Sequence, residues 1–245
     1  MIDIIMDKEE LFVKLSLNRN QLKYIAILAM LIDHVAWCIT STTTPLGFVM
    51  HVIGRLTGPI MAFMLAEGYL HTRSIKKYGI RLFVFTLISW VPYSLFEART
   101  WPAPTFGVIY TLFLGLIALW VWDKTNLKVA WKVVIIVLLC AISIFGDWPI
   151  FDILWPLFFV IYRDDPKKKW TAFTIIAISD VLLIQLTVIS SYHPFAQVFQ
   201  IGVFLVIPLL RAYNGKPGSL DPFHKWFFYV FYPLHLLILA FLFRL

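Results

Sequence analysis

Apolar residues gather into nine runs separated by short polar stretches. The runs lie near 22–41, 46–67, 79–97, 106–122, 130–145, 148–161, 170–190, 194–211 and 226–243. Most approach the ~20 residues a helix needs to cross the hydrocarbon core of a bilayer. The pattern predicts an all-α, polytopic integral membrane bundle of about nine transmembrane helices. The sixth run, WPIFDILWPLFFVI, is short and carries Pro149 and Pro156, so it predicts a tilted, kinked or re-entrant helix. Residues 1–20 read as a lead-in, either loosely ordered or a short interfacial helix with Leu11, Phe12, Leu15 and Leu17 partly buried. Residues 21–245 read as one transmembrane domain. The first twenty residues mix acids with apolar residues and offer no small-residue cleavage site, so no cleavable signal peptide is expected.

Composition agrees with the pattern. The chain is 60% hydrophobic and 14% charged, with a mean hydropathy of +0.82, which excludes a soluble domain. Ten Trp and ten Tyr suit interfacial belts. The net charge of +7 is no nucleic-acid patch, because the basic residues sit in short clusters between apolar runs. Nine crossings from a cytoplasmic N-terminus place the clusters Lys8–Lys23, Arg73–Arg81, Lys124–Lys132, Arg163–Lys169 and Arg211–Lys225 on the inner side. Only Arg99 and Arg244 then fall outside, and Arg55 lies within a span. This is the positive-inside distribution of a multi-pass cell-membrane protein. The outer connections near 42–45, 98–105, 146–147 and 191–193 are short, so an outside partner must come to a pocket at the membrane surface. Cys38 and Cys140 read as packing residues, and no metal site is expected.

Against this background the polar residues inside the spans carry the chemistry, since ionisable groups at that depth mark working sites. Asp33 and His34 stand well inside the first run. Lys23 precedes His34 by eleven positions, which is three turns and about 20°, so both lie on one face roughly 16 Å apart. Folding about the short loop after the first run brings Asp33 and His34 to the level of His51 and Arg55. An Asp33–Arg55 pair would cancel two costly charges. The second run also carries the small-residue stripe Gly54, Gly58, Ala62 and Ala66, a packing feature, with Glu67 and His71 at its inner end. Tyr93, Glu97, Asp147 and Asp152 fall near the outer rim, where an acceptor could arrive. Asp180 is buried by position and needs a partner or a proton, with Arg55 and a histidine as candidates. In the ninth run Tyr229, Tyr232 and His235 form a polar stripe, and Pro233 removes one backbone donor.

The blocks IDHVAW, GRLTGPIMAFMLAEGYLHTRSIKKYGIRLFVFTLISWVPYSL and KWFFYVFYPLHLLIL resemble the TraX family, named for a conjugation protein that acetylates the N-terminus of a pilin subunit. That family is similar to the wider superfamily of transmembrane acyltransferases, which includes acyltransferase-3 enzymes and the lysosomal heparan acetyltransferase. Acyltransferase-3 proteins share a basic residue, ten residues, then His, a spacing met here by Lys23 and His34. The chain departs in having Lys where Arg is common, and nine predicted spans rather than ten.

The resemblance implies an acetyl-CoA donor entering from the cytoplasm and an extracytoplasmic peptide, glycan or lipid acceptor. Lys23, Arg73, Lys76 and Arg81 would meet the donor's phosphates, with Tyr232 further along. His34 would act as general base, or carry the acyl group covalently. Asp33 or another polar neighbour would hold its tautomer, and Arg55, His51 or His235 would stabilise the oxyanion. Membrane lipids surround the chain, and a homo-oligomer is compatible with it. The rival reading is a transporter or lipid flippase using Asp180, His34 and Arg55.

Overall fold

The computed structural model describes residues 16–189 and 196–244; the expected interfacial positions Leu11, Phe12 and Leu15 and the outer connection 191–193 lie outside them. Among the described residues the fold is all helical, with only two isolated bridges, Leu17 with Tyr213 and Phe106 with Gly146. The helices are α1 (Arg19–Ile39), α2 (Pro45–Gly54), α3 (Thr57–His71), α4 (Ile75–Glu97), α5 (Val108–Lys124), α6 (Val129–Ile142), α7 (Phe151–Ile161) and α8 (Pro166–Ile189). A 3-10 stretch (Val198–Leu205) leads into α9 (Val206–Arg211), and α10 (Pro222–Leu239) ends in a π-helical stretch (Ala240–Arg244).

Local sequence sets the helix starts. Asn18 opens α1 with a reciprocal cap: Gln21 N donates to Asn18 Oδ1 (3.0 Å) and Asn18 N donates to Gln21 Oε1 (2.8 Å). Thr44 caps α2 with Pro45 at its first position, Ser74 caps α4, and Asp221 followed by Pro222 opens α10.

Four helical stretches among the described residues are long and apolar enough to cross a membrane: Arg19–Ile39, Pro45–His71, Ile75–Glu97 and Pro222–Phe243. On α4, Ile80, Val84, Leu87, Ile88 and Val91 form an exposed stripe at helical spacing, and α6 exposes Val129, Val133, Val137 and Leu138. Bands of this kind find no place on a water-soluble monomer and suit a hydrocarbon solvent.

Several apolar runs depart from a single straight helix; the eighth forms the 3-10 stretch and the short α9. The second breaks at Arg55–Leu56, between α2 and α3. Pro59 explains the break, because it has no N–H to donate to the carbonyl of Arg55, four residues back. The sixth forms only the eleven residues of α7, about 16 Å of helix, roughly half the hydrocarbon thickness. Before it, Trp148 (φ 52°) and Ile150 (φ 69°) adopt left-handed backbone. Each such position costs on the order of 1–3 kcal/mol. The turn is held by Asp147 Oδ1, which accepts from Trp148 N (3.0 Å), and by Ser143 Oγ, which accepts from Ile150 N (2.8 Å).

Helix packing closes a ring. α1 packs on α3, α3 on α7, α7 on α5, α5 on α4, α4 on α10, and α10 returns to α1. α1 and α10, the first and last α-helices among the described residues, are thus neighbours. α2 and the 3-10 stretch buttress α1 from outside the ring, and α6 lies at the periphery against α5.

Candidate functional site

Within the ring, beside the C-terminal half of α1, lies a polar chamber of about 340 Å3. Asp33, His34, Arg55, Tyr93, Glu97 and Asp147 contribute to its wall, with Trp37 and Trp148. His34 reaches this chamber from a buried position and is tied to the last helix: His34 Nδ1 and His235 Nε2 are 2.8 Å apart. His235 Nδ1 lies 2.9 Å from the carbonyl oxygen of Phe231. A carbonyl only accepts, so His235 Nδ1 carries hydrogen and donates to it. Neutral His235 then has a lone pair at Nε2, and His34 Nδ1–H must be the donor to it. His34 Nε2 is left with a lone pair and makes no hydrogen bond among the described residues, on a side chain that lines the chamber. The backbone of α10 thereby fixes which nitrogen of His34 is basic.

Asp33 has other partners. Its Oδ1 accepts from His51 Nδ1 (2.8 Å) and its Oδ2 accepts from Arg55 Nη2 (2.5 Å). Of the two expected ways to hold the tautomer of His34, Asp33 or another polar neighbour, the geometry supports the second: Asp33 is engaged elsewhere and His235 meets His34. Arg55 stacks between Trp148 (4.9 Å) and Phe199 (5.2 Å), and its Nη1 donates weakly to Gln200 (3.4 Å). His51 is fully buried beside Trp37 and Phe199 and stands outside the chamber wall, so it orients Asp33 and does not reach a reacting group. Gly54 makes room for this cluster. A Cβ there would meet the Asp33 carboxyl at 2.4 Å, and one at Gly58 would meet the Trp148 ring at 2.7 Å. The small-residue stripe thus packs helices and also seats the two groups that position Arg55.

Towards the N-terminal end of α1 the chamber adjoins an apolar throat of about 80 Å3, sharing Met30, Thr57 and Val108 with it. Met61, Met64, Leu82 and Leu112 narrow the throat, and Tyr232 stands in its wall. The Tyr232 hydroxyl accepts from Val108 N (3.0 Å), where Gly107 leaves space that a Cβ would fill at 1.8 Å. The throat in turn adjoins a basic cup of about 280 Å3, sharing Lys23, Met64, Tyr78, Phe228 and Tyr229. Arg19, Lys23, Arg81 and Lys225 supply the cup's positive charge, against the one carboxylate Asp221 among its described lining residues. Lys23 lies over the Phe228 ring (5.1 Å), and Arg81 Nε donates to the Tyr229 hydroxyl (3.0 Å). Basic cup, throat and chamber follow one another along the face of α1 that joins Lys23 to His34.

Arg73 and Lys76, expected beside Lys23 and Arg81, sit exposed at the start of α4 and line none of these cavities. Arg19 and Lys225 take their place; Arg19, one helical turn before Lys23, was legible as part of the same face. Asp147, Glu97 and Tyr93 do line the chamber, whereas Asp152 turns inward and accepts from Thr111 Oγ1 (2.9 Å). Asp180 is buried, and among the described residues neither of its oxygens is hydrogen-bonded to Arg55, a histidine or any other group. Cys38 and Cys140 are not joined in a disulfide.

The model of the family described as TraX protein matches residues 18–243. The chain is 30% identical over 229 residues to the probable fimbrial assembly protein FimC, serogroup H1, of Dichelobacter nodosus, covering 90% of this chain and 93% of that protein. No solved structure matches. With the family match running from the cap of α1 to the end of the last helix, and taking in both histidines of the pair, the chain belongs to the TraX family.

Proposed function

We propose that the chain is a membrane-embedded acyltransferase, carrying an acetyl group from cytoplasmic acetyl-CoA to an acceptor amine or hydroxyl on the outer side. The observation that carries this reading is the relay from the Phe231 carbonyl through His235 to His34, which leaves one basic nitrogen in a polar chamber. A relationship to the transmembrane acyltransferase superfamily, nine crossings and a cytoplasmic N-terminus belong to the same proposal. In it, the basic cup of Arg19, Lys23, Arg81 and Lys225 takes the donor's phosphates. The throat, apolar and running from Lys23 at the cup to Met30 at the chamber, takes the extended thioester arm. A small apolar throat ending in a polar chamber suits a short acyl group.

At the chamber, His34 Nε2 accepts a proton from the attacking amine or hydroxyl as the bond to the acyl carbon forms. The resulting imidazolium is stabilised through Nδ1–H on His235. Arg55, held by Asp33 and aromatic on both faces, faces the oxygen that gains charge. The carbon–sulfur bond then breaks, and His34 returns its proton to the departing thiolate, giving the acylated acceptor and free coenzyme A. Asp147 and Glu97 in the chamber wall favour an amine acceptor such as a peptide N-terminus: an arriving ammonium first gives one proton to a carboxylate there, and the neutral amine then attacks. A membrane protein that modifies pilin is the activity this reading assigns, in keeping with the family and with a relative named for fimbrial assembly.

The test is acyl transfer in proteoliposomes, with acetyl-CoA on one side and a peptide with a free N-terminus on the other. Thiol release and the mass gain of one acetyl group on the peptide are followed together. His34→Ala is expected to abolish both while the protein keeps its thermal unfolding transition; turnover in that variant at the wild-type rate would sink the mechanism.

A further inference from the structure

The end of the bundle that carries the basic cup holds a second cavity, of about 390 Å3, which shares no lining residue with cup, throat or chamber. α3 is the partition. Its Met64, Gly68 and His71 face the first cup, and its Phe63, Ala66, Glu67 and Leu70 face the second. These are the two sets of positions that a 3.6-residue period places on different sides of one helix.

The second cavity has an apolar floor and a cationic rim. Phe63, Phe159 and Leu210 are buried beneath it. Arg163, Lys169 and Arg211 come to its edge from three separate places: the turn after α7, the first turn of α8 and the end of α9. Arg211 is held over the Trp170 ring at 5.3 Å. Among the described residues neither Lys169 nor Arg211 has a carboxylate in ion-pair range, and Arg163 meets only its exposed neighbour Asp164 (3.2 Å). The wall's one carboxylate, Glu67, accepts from the Tyr213 hydroxyl (3.1 Å). Three cations against one carboxylate leave a net positive cup. Like charges gathered in a concavity repel one another and are relieved by an anion. The guanidiniums bind phosphate oxygens in pairs. Basic pockets between helices at a membrane surface, floored by apolar side chains and flanked by aromatics, hold phospholipid headgroups. The absence of a shared throat separates this cavity from the acyl-transfer path.

We propose that this cup is a binding site for an anionic phosphate group, of the kind that a phosphatidylglycerol headgroup presents at the bilayer surface. The inference does not depend on the acyltransferase reading.

The test uses purified, delipidated full-length protein in a neutral detergent. Its thermal midpoint and its adducts in native mass spectrometry are followed as short-chain phosphatidylglycerol, short-chain phosphatidylcholine or inorganic phosphate is added. Phosphatidylglycerol is expected to raise the midpoint saturably and to survive as a single adduct, and phosphatidylcholine is not. Arg163→Gln/Lys169→Gln/Arg211→Gln should abolish the effect. The control Arg73→Gln/Lys76→Gln/Lys77→Gln, which removes the same charge elsewhere, should keep it. Inorganic phosphate producing the same saturable shift, lost in the first triple variant only, supports the phosphate site and makes a soluble phosphate its source. A shift equal with phosphatidylcholine, or one that both triple variants retain or both lose, overturns the proposal. Should the triple variant fail to fold, Arg211→Gln alone is expected to weaken binding by about tenfold, the effect of one lost charge-assisted hydrogen bond; unchanged affinity would overturn it equally.

Discussion

Replacing His235 separates a working relay from a packing contact. In His235→Leu the Nδ1–H of His34 loses its acceptor. A neutral hydrogen bond contributes about 0.5–1.5 kcal/mol net, and one to a charged group about 1.5–3 kcal/mol. The difference, roughly 1–1.5 kcal/mol, arises only when His34 holds the extra proton, so it acts on the transition state and is worth about tenfold in rate. A buried donor left unmade costs a further ~1–3 kcal/mol, which the ring can escape by turning away from the chamber or by changing tautomer. Together these predict a fall in kcat of roughly 10- to 1000-fold. The KM for acetyl-CoA should hold steady, because the proposed phosphate contacts lie three helical turns away at Lys23 and Arg81. His235→Gln supplies an amide oxygen where Nε2 stood and is expected to recover most of the loss. The assay is initial-rate acyl transfer in proteoliposomes with both substrates varied. A leucine variant with wild-type kcat, or a glutamine variant as inactive as leucine, would refute the relay.

Two further outcomes follow from the same geometry. Gly54→Ala puts a Cβ 2.4 Å from the Asp33 carboxyl, and the forced shift is expected to lower stability by about 1–3 kcal/mol and to reduce turnover with it; a thermal midpoint equal to wild type would show that Asp33 does not depend on the missing Cβ. In the turn before α7, burial pushes the Asp147 carboxyl up to about 7 from 3.8, Glu97 and Asp33 adding to this and Arg55 opposing it. The folded protein then keeps a proton that the unfolded chain releases near pH 4, so this group's contribution to stability is greatest at low pH and falls as pH rises through about 7. Asp147→Asn should flatten the decline in thermal midpoint between about pH 5 and pH 8; an identical slope in the variant would rule out Asp147 as its source.

The helical segments and the depth of His34 were legible because long apolar runs interrupted by a single charge have few other meanings in a chain this hydrophobic. The Asp33–Arg55 pair was legible because the short loop at 42–45 forces α1 and α2 together. The partner of His34 was not: it lies 201 positions away, and only the closure of the ring brings α10 beside α1. Sequence proximity pointed instead to Asp33, the adjacent residue. Neighbours on a helix point about 100° apart, and Asp33 faces α2 while His34 faces α10. The break at Arg55 did have a signal, Pro59 four residues on, and the break leaves the guanidinium at a helix end where it can turn to Asp33. Arg73 and Lys76 were misplaced because a cluster of basic residues after a span marks a membrane face and does not say which of its side chains turn inward.

The buried polar groups divide into two sets, and that division weighs between the enzyme and transporter readings. Asp33, His51 and Arg55 form a closed cluster in which the carboxylate is satisfied on both oxygens. Separating such a pair leaves an uncompensated buried charge at a cost of about 3–5 kcal/mol, so it is poorly suited to the alternating contacts of a carrier. It is well suited to holding a guanidinium still, as stabilising a developing oxyanion requires. Asp180 is the opposite case, buried with neither oxygen hydrogen-bonded among the described residues, and is the observation that most favours an ion- or proton-coupled path. It lies outside the wall of the chamber that His34 and Arg55 share. A carrier built on Asp180, His34 and Arg55 would need these three to meet at one site, and Asp180 neither lines the chamber nor hydrogen-bonds to Arg55 or His34. The fixed pair and the relayed histidine around one chamber, reached through a throat from a basic cup, are the parts that chemistry at a stationary centre uses.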